Sequence, residues 1–213
     1  TVINDQNWQK GRETYLALKQ LGSTYMQFIP IVECHAQTQS VTDFSVPSEG
    51  YGQFLVDVFH EWYEHDVGKI YVSQFDNLLG QWLGYPSTTC VNQPTCGQSL
   101  ITEANGDVYA CDHFVYPEYK VGNLTQQPLT EIVLSRKQQQ FGLEKSQKLT
   151  ALCRHCEFRK LCYGGCPKHR FVSLENEPNP HNYLCASYRY FFEQTAPYMQ
   201  AMARQIRLHP SAA

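Results

Sequence analysis

Apolar positions along the first 89 residues switch between helical and strand periods. Trp8, Tyr15 and Leu18 recur at helical spacing between the polar capping candidates Asp5 and Asn7 and the stop residue Gly22, which predicts an amphipathic helix over 5–21. Tyr25 to Val32 reads YMQFIPIV, a near-continuous apolar run that predicts a strand buried on both faces, with Pro30 tolerable near its end. After a polar loop at 36–46, Tyr51, Leu55, Val58 and Trp62 step by 4, 3 and 4 and form one helical stripe. Lys69 to Ser73 then reads as a strand and Asp76 to Leu83 as a short helix. The opening Thr1-Val2-Ile3-Asn4 reads as the end of a strand with no initiating Met, so a piece of a longer protein is expected. Strand alternating with helix is the pattern of parallel βα units. A closed eight-fold barrel needs roughly 200 residues or more, so this stretch fits either the last portion of one or a small open α/β layer.

From Cys90 the elements shorten. Leu100 to Glu103 and Val108 to Ala110 flank Asn105-Gly106, which predicts a hairpin on a type I′ turn with positive φ at both central residues. Cys96 precedes that hairpin and Cys111 ends it. Pro128 to Phe141 reads as a helix, with Pro128 in its first turn and Gly142 as its stop. A Pro178-Asn179-Pro180 turn leads to a long helical pattern through Leu184, Tyr188, Phe191 and Phe192, expected to kink or restart at Pro197. The aromatic stripe is expected to pack that helix. The boundary read from this change of texture divides the chain into 1–89 and 90–213.

Composition narrows the function classes. The formal charge of −3 provides no electrostatic case for nucleic acid or an anionic membrane, and no apolar run is long enough to span a bilayer. Cysteine is the unusual residue: only Cys34 falls in 1–89, and the other eight of nine fall between Cys90 and Cys185. Their spacing is Cys90-x5-Cys96-x14-Cys111, then Cys153-x2-Cys156-x5-Cys162-x3-Cys166, then Cys185. Disulfides would call for an oxidising compartment and an export signal, neither visible here. Zinc sites usually use paired short spacings, and a single CxxC is present. Thiolate-only sites of irregular spacing beside Gly164-Gly165 suit two iron–sulfur cubanes best of the three. Cys34 is expected to be a non-ligand thiol.

Cys96-x9-Gly106-x4-Cys111, Cys153-xx-Cys156-x5-Cys162-xxx-Cys166 and Cys185 together resemble the seven-cysteine signature of the SPASM domain of radical S-adenosylmethionine enzymes. With Cys90 as an eighth thiol, YMQFIPIV at 25–32, CDHFVY at 111–116 and CYGGCPKHR at 162–170, the chain resembles the C-terminal half of an anaerobic sulfatase-maturating enzyme. The resemblance implies an α/β part, the last βα units of a partial (β/α) barrel, followed by a small α+β SPASM iron–sulfur domain with a β-hairpin. It further implies two auxiliary 4Fe-4S clusters, one on Cys90, Cys96, Cys111 and Cys166 and one on Cys153, Cys156, Cys162 and Cys185. The family's CxxxCxxC triad is absent, because the position that would complete Cys162-xxx-Cys166 is His169. The third 4Fe-4S cluster and S-adenosylmethionine are therefore expected to depend on residues upstream, and this stretch alone is expected to be inactive.

In that family a 5′-deoxyadenosyl radical removes hydrogen from Cβ of a Cys or Ser in a sulfatase, a base takes the thiol or hydroxyl proton, and an electron leaves into an auxiliary cluster. The product is Cα-formylglycine. Asp112 matches the position of the base, and Gln27, Phe28, Ile29 and Pro30 the region that helps to hold the adenosyl group. The resemblance also implies a sulfatase polypeptide as substrate, flavodoxin or ferredoxin as electron donor, and a cytoplasmic, anaerobic setting. His113 and His169 flank cluster positions and are read first as packed or exposed side chains, and Tyr116 and Tyr119 as core or peptide-groove residues. Another SPASM enzyme that crosslinks peptides, or a non-enzymatic iron–sulfur or zinc module, are the alternatives, and iron and sulfide analysis separates them.

Overall fold

The computed structural model describes residues 1–35 and 40–209. The chain divides into two compact units, 1–87 with 183–213 and 88–182. The terminal helix therefore packs with the first unit, whereas the sequence texture grouped it with the second. The cause is its apolar face, which is built for a helical layer rather than for short loops.

In the first unit, β1 (Val2–Ile3), α1 (Gly11–Gln20), β2 (Tyr25–Met26), β3 (Ile29–Pro30), α2 (Gly50–His65), β4 (Tyr71–Val72) and α3 (Ser73–Leu83) follow in order, and α8 (Cys185–Leu208) closes the chain. The segment 25–30 is the centre of a parallel layer: Val2 and Ile3 pair with Ile29 and Pro30, and Tyr25 and Met26 pair with Tyr71 and Val72. The expected βα order is present. The expected burial on both faces is not, because Met26 and Phe28 are buried while Tyr25 is 76% and Ile29 49% exposed. One sheet face packs on the helices, and the other carries Val2, Tyr25, Ile29 and Tyr71 in the open.

The stripe Tyr51, Leu55, Val58 and Trp62 is wholly buried on α2, and Phe54 and Phe59 widen it. Phe59 meets Phe75 and Phe191 edge-on at 5.3 and 6.4 Å, so α2, α3 and α8 share one aromatic core. Phe191 and Phe192 are buried there as expected. At Gly52, Ser187 lies so close that a Cβ would stand 2.4 Å from its carbonyl oxygen, while the Ser187 hydroxyl is 2.8 Å from the Gly52 N–H. The helix α8 continues through Pro197 rather than restarting. The first helix begins at Gly11, not at Asp5, because Trp8 lies ahead of it and covers Gly50. Asp66, 4% exposed, accepts hydrogen bonds from Tyr15 at 2.8 Å and Lys19 at 2.7 Å and ties α1 to the end of α2.

The second unit holds an antiparallel sheet of β5 (Ile101–Thr102), β6 (Asp107–Tyr109) and β7 (Lys120–Asn123), then α4 (Leu129–Val133), α5 (Arg136–Gln147), α6 (Ala151–Arg154), α7 (Arg159–Cys162) and the pair β8 (Arg170–Val172) and β9 (His181–Asn182). The predicted hairpin forms on a different turn. Only Gly106 has positive φ, 84°, and its N–H donates to Glu103 O at 2.9 Å, so the loop is one with a single left-handed residue. The single helix expected over 128–141 is two: Ser135 breaks the run and caps α5, its hydroxyl accepting from Gln138 N–H at 3.2 Å. Gly142 lies inside α5 rather than ending it.

Candidate functional site

The helix α5 has a buried stripe at Gln138, Gly142 and Lys145, stepping by 4 and 3, made of polar and small residues where a core helix would carry apolar ones. Each member holds a segment that carries a cysteine. The Gln138 amide donates to Gly97 O at 2.7 Å and Ala110 O at 3.2 Å, one residue from Cys96 and Cys111 respectively. Gly142 lets the Cys96 backbone approach until a Cβ would stand 2.6 Å from its carbonyl oxygen, and Gly142 O accepts from Cys96 N–H at 3.1 Å. The Lys145 ammonium, 1% exposed, donates to Cys90 O at 2.5 Å and Val91 O at 3.0 Å.

Cys166 is reached from the other side. Tyr163, Gly164 and Gly165 all have positive φ, 48°, 72° and 63°, a run that suits glycine and turns the backbone carbonyls onto one cation. Arg170 donates to Tyr163 O at 2.8 Å, Gly164 O at 3.1 Å and Gly165 O at 3.4 Å, and also to Lys145 O at 2.7 Å. Asn182 donates to Gly164 O at 3.0 Å and Cys166 O at 3.3 Å.

Cys90, Cys96, Cys111 and Cys166 are thereby brought into one electrostatic neighbourhood. Cys96 is perturbed by Cys90, Cys111 by Cys166, and Cys166 by Cys96 and Cys90. Burial pushes the Cys96 thiol up, and pushes Cys166 to about 11 and Cys111 to about 12, with the Asp112 carboxylate adding to the last. Such thiols keep their protons near neutral pH until a metal replaces them. Cys153 lies on α6, Cys156 in the turn after it and Cys162 at the end of α7; Cys153 and Cys162 both act on Arg170. Cys153 Sγ is 3.7 Å from His181 Nδ1, which also meets Thr150 Oγ1 at 3.0 Å. Cys185 is the first residue of α8 and lies in the other unit.

Asp112 is exposed, its carboxylate accepting from the Cys111 thiol and from His113 N–H, each at 3.1 Å. His113 Nδ1 is 3.5 Å from Cys166 Sγ. His169 is buried, its Nδ1 has no hydrogen-bond partner among the described residues, and burial lowers its pKa to about 4. Tyr119 packs on Phe114 and Phe141 at 4.7 and 5.9 Å, while Tyr116 is exposed and accepts from Lys168 at 3.1 Å. The two tyrosines touch edge-on at 6.4 Å but differ in exposure, Tyr119 packing inward and Tyr116 facing out. In the first unit Gln27 and Ile29 are exposed and Phe28 is fully buried against Phe54, its carbonyl accepting from Tyr51 at 2.8 Å. Pro30 is half-buried, and Cys34 sits on an isolated bridge to Val41.

Among the described residues no three Cys, His, Asp or Glu side chains gather tightly enough to hold a single metal ion. A zinc site needs four sulfurs each about 2.3 Å from one centre, whereas a cubane keeps its four thiolates on separate irons and farther apart. The two cations fit an anionic group: among the described residues, buried Lys145 and half-buried Arg170 bond only to carbonyls and pair with no carboxylate. Sequence reasoning missed both, together with Gln138 and His181. The 4,3 stepping of 138, 142 and 145 was the available signal, hidden because its residues are not hydrophobic.

Residues 90–157 match the SPASM iron–sulfur cluster-binding domain. Along nearly its whole length the chain is also similar to anaerobic sulfatase-maturating enzymes. It is 39% identical over 220 residues to the serine-type enzyme of Bacteroides thetaiotaomicron, covering 96% of this chain and 53% of that protein. It is 28% identical over 208 residues to the cysteine-type enzyme of Clostridium perfringens, covering 97% of this chain and 56% of that protein. Among solved structures, native anSMEcpe with bound AdoMet and Cp18Cys peptide matches with a TM-score of 0.83 and 28% identity, over 96% of this chain and 57% of that one. The chain spans about half the length of these sulfatase-maturating relatives. No helix among the described residues is long and apolar enough to cross a membrane.

Proposed function

We propose that these residues form the auxiliary-cluster part of a radical S-adenosylmethionine enzyme that converts a Cys or Ser of a sulfatase to Cα-formylglycine. The similarity to serine- and cysteine-type maturating enzymes along 96–97% of the chain carries the reading. The parallel layer 1–87 would be the last βα units of a partial (β/α) barrel, whose remaining strands, with the CxxxCxxC triad and a third 4Fe-4S cluster, would lie outside this sequence. Gln27 to Pro30 would lie beside S-adenosylmethionine, with Gln27 and Ile29 offering side chains and Phe28 only its backbone.

In the second unit Cys90, Cys96, Cys111 and Cys166 would hold one auxiliary 4Fe-4S cluster; the family resemblance assigns the other to Cys153, Cys156, Cys162 and Cys185. When bound, these clusters would supply a sink for the electron that leaves the substrate. The role of α5 is to fix the segments around Cys90, Cys96 and Cys111 before any iron arrives. Asp112 would take the proton of the substrate thiol or hydroxyl: it is exposed, and its hydrogen bond from Cys111 vanishes once that thiol is ionised. A sulfatase peptide would be the substrate, flavodoxin or ferredoxin the electron donor, and an anaerobic cytoplasm the setting.

The test is the full-length protein carrying Asp112→Asn, assayed by mass spectrometry for formylglycine in a sulfatase peptide. Product should fall by at least a hundredfold while cleavage of S-adenosylmethionine continues. Formylglycine at the normal rate would remove Asp112 from the reaction.

A further inference from the structure

Two cations are placed among the thiols of the second unit with no carboxylate among the described residues to balance them. Lys145 is 1% exposed and donates two of its three N–H bonds to the carbonyls of Cys90 and Val91. Arg170 spends its fork on four carbonyls. Burying an ammonium without a counter-charge is costly, and native proteins seldom keep such a group unless a partner offsets it. The acidic groups acting on Lys145 are Cys96, Cys166 and Cys90, with Arg170 opposing. Those acting on Arg170 are Cys153, Cys96, Cys162 and Cys166. Among the described residues, the acidic groups acting on either cation are therefore all cysteine thiols, which turn negative only when a metal replaces their protons.

We propose that Lys145 and Arg170 are the counter-charges of the auxiliary clusters and hold their reduction potentials up. The proposal rests on the two-cluster reading above. Reduction adds one electron, forms and breaks no bond, and makes a thiolate-held cluster one unit more negative. A fixed cation held beside the ligand segments stabilises the reduced form more than the oxidised one, and burial limits the water that would screen it. The two cations differ in reach. Lys145 faces only sulfurs assigned to the first cluster, and Arg170 faces sulfurs assigned to both. Their carbonyl bonds keep them in place without neutralising them, which a carboxylate partner would do. The arrangement would let the clusters accept the electron leaving the substrate.

The experiment uses the full-length protein reconstituted anaerobically with iron and sulfide and titrated with dithionite. Paramagnetic resonance follows the cluster signals that added S-adenosylmethionine leaves unchanged. Lys145→Met should retain the wild-type iron content and shift one auxiliary signal, its oxidised-to-reduced ratio at fixed potential rising at least tenfold, about 59 mV lower for one electron. Lys145→Arg should titrate as the wild type does. If Lys145→Met instead loses one cluster that Lys145→Arg keeps, the positive charge is needed to hold the cluster at all, which also supports the proposal. An unmoved potential in a fully loaded Lys145→Met would overturn it. So would equal shifts or equal iron loss in both variants, which would assign Lys145 a packing role. Wild-type protein that takes up no iron at the eight cysteines would overturn the cluster reading itself, a separate result.

Discussion

Asp66 shows how one residue couples helices in the first unit. Its carboxylate is 4% exposed and accepts from the Tyr15 hydroxyl and the Lys19 ammonium. Burial pushes its pKa up, but the bonds from Lys19 and Tyr15 outweigh that, and the net shift is downward. A carboxylate with a depressed folded pKa contributes stability that is complete above its unfolded value and is lost as pH falls through the folded one. Asp66→Ala should cost about 3 kcal/mol in urea denaturation at pH 7, because it leaves the buried Tyr15 hydroxyl and the Lys19 ammonium without their acceptor. The difference between variant and wild type should shrink below about pH 4. An equal difference at pH 7 and pH 3 would mean that packing, not the ionised acceptor, stabilises this corner. Nothing in the local pattern marks Asp66, since its partners are 47 and 51 residues away.

Among the elements, those read well from sequence are the ones whose stabilisation is apolar and periodic. The α2 stripe and the α8 aromatics were legible because hydrophobic burial follows the helical period. The two-sided burial expected of 25–32 failed because an apolar run cannot say whether both faces are covered. The break at Ser135 and the true role of Gly142 were hidden for another reason: α5 buries Gln138, Gly142 and Lys145, and their value lies in hydrogen bonds to distant loops. On a free helix Gly142→Ala would gain about 1 kcal/mol. Here the added methyl would meet the Cys96 carbonyl, so the variant should be less stable and bind less iron. Gln138→Ala leaves the acceptors Gly97 O and Ala110 O without their donor and should cost about 1–3 kcal/mol. Thermal unfolding and iron analysis of the two variants check this; a stabilised Gly142→Ala with full iron would show that α5 does not position Cys96.

At the scale of the whole molecule, the cysteine ladder mixes the two proposed clusters along the chain. Cys166 follows Cys153, Cys156 and Cys162 in sequence, yet in the structure it shares its surroundings with Cys90, Cys96 and Cys111. Sequence order alone would divide the eight as three, four and one. The interleaved division was available only through the family resemblance, because the turn at 163–165 that carries Cys166 to its neighbours is a matter of backbone sign rather than of pattern. The grouping predicts how iron loss combines. Cys96→Ser and Cys156→Ser should each remove about four of the roughly eight auxiliary irons, since one missing thiolate empties its whole site. Cys96→Ser with Cys166→Ser should lose no more than either alone, because both act on one cluster. Cys96→Ser with Cys156→Ser should lose nearly all, and Cys34→Ser nothing. Measured as iron and sulfide per chain after anaerobic reconstitution, a Cys96/Cys166 double variant that loses twice as much as each single one would place Cys166 with Cys153, Cys156 and Cys162 and break the proposed division.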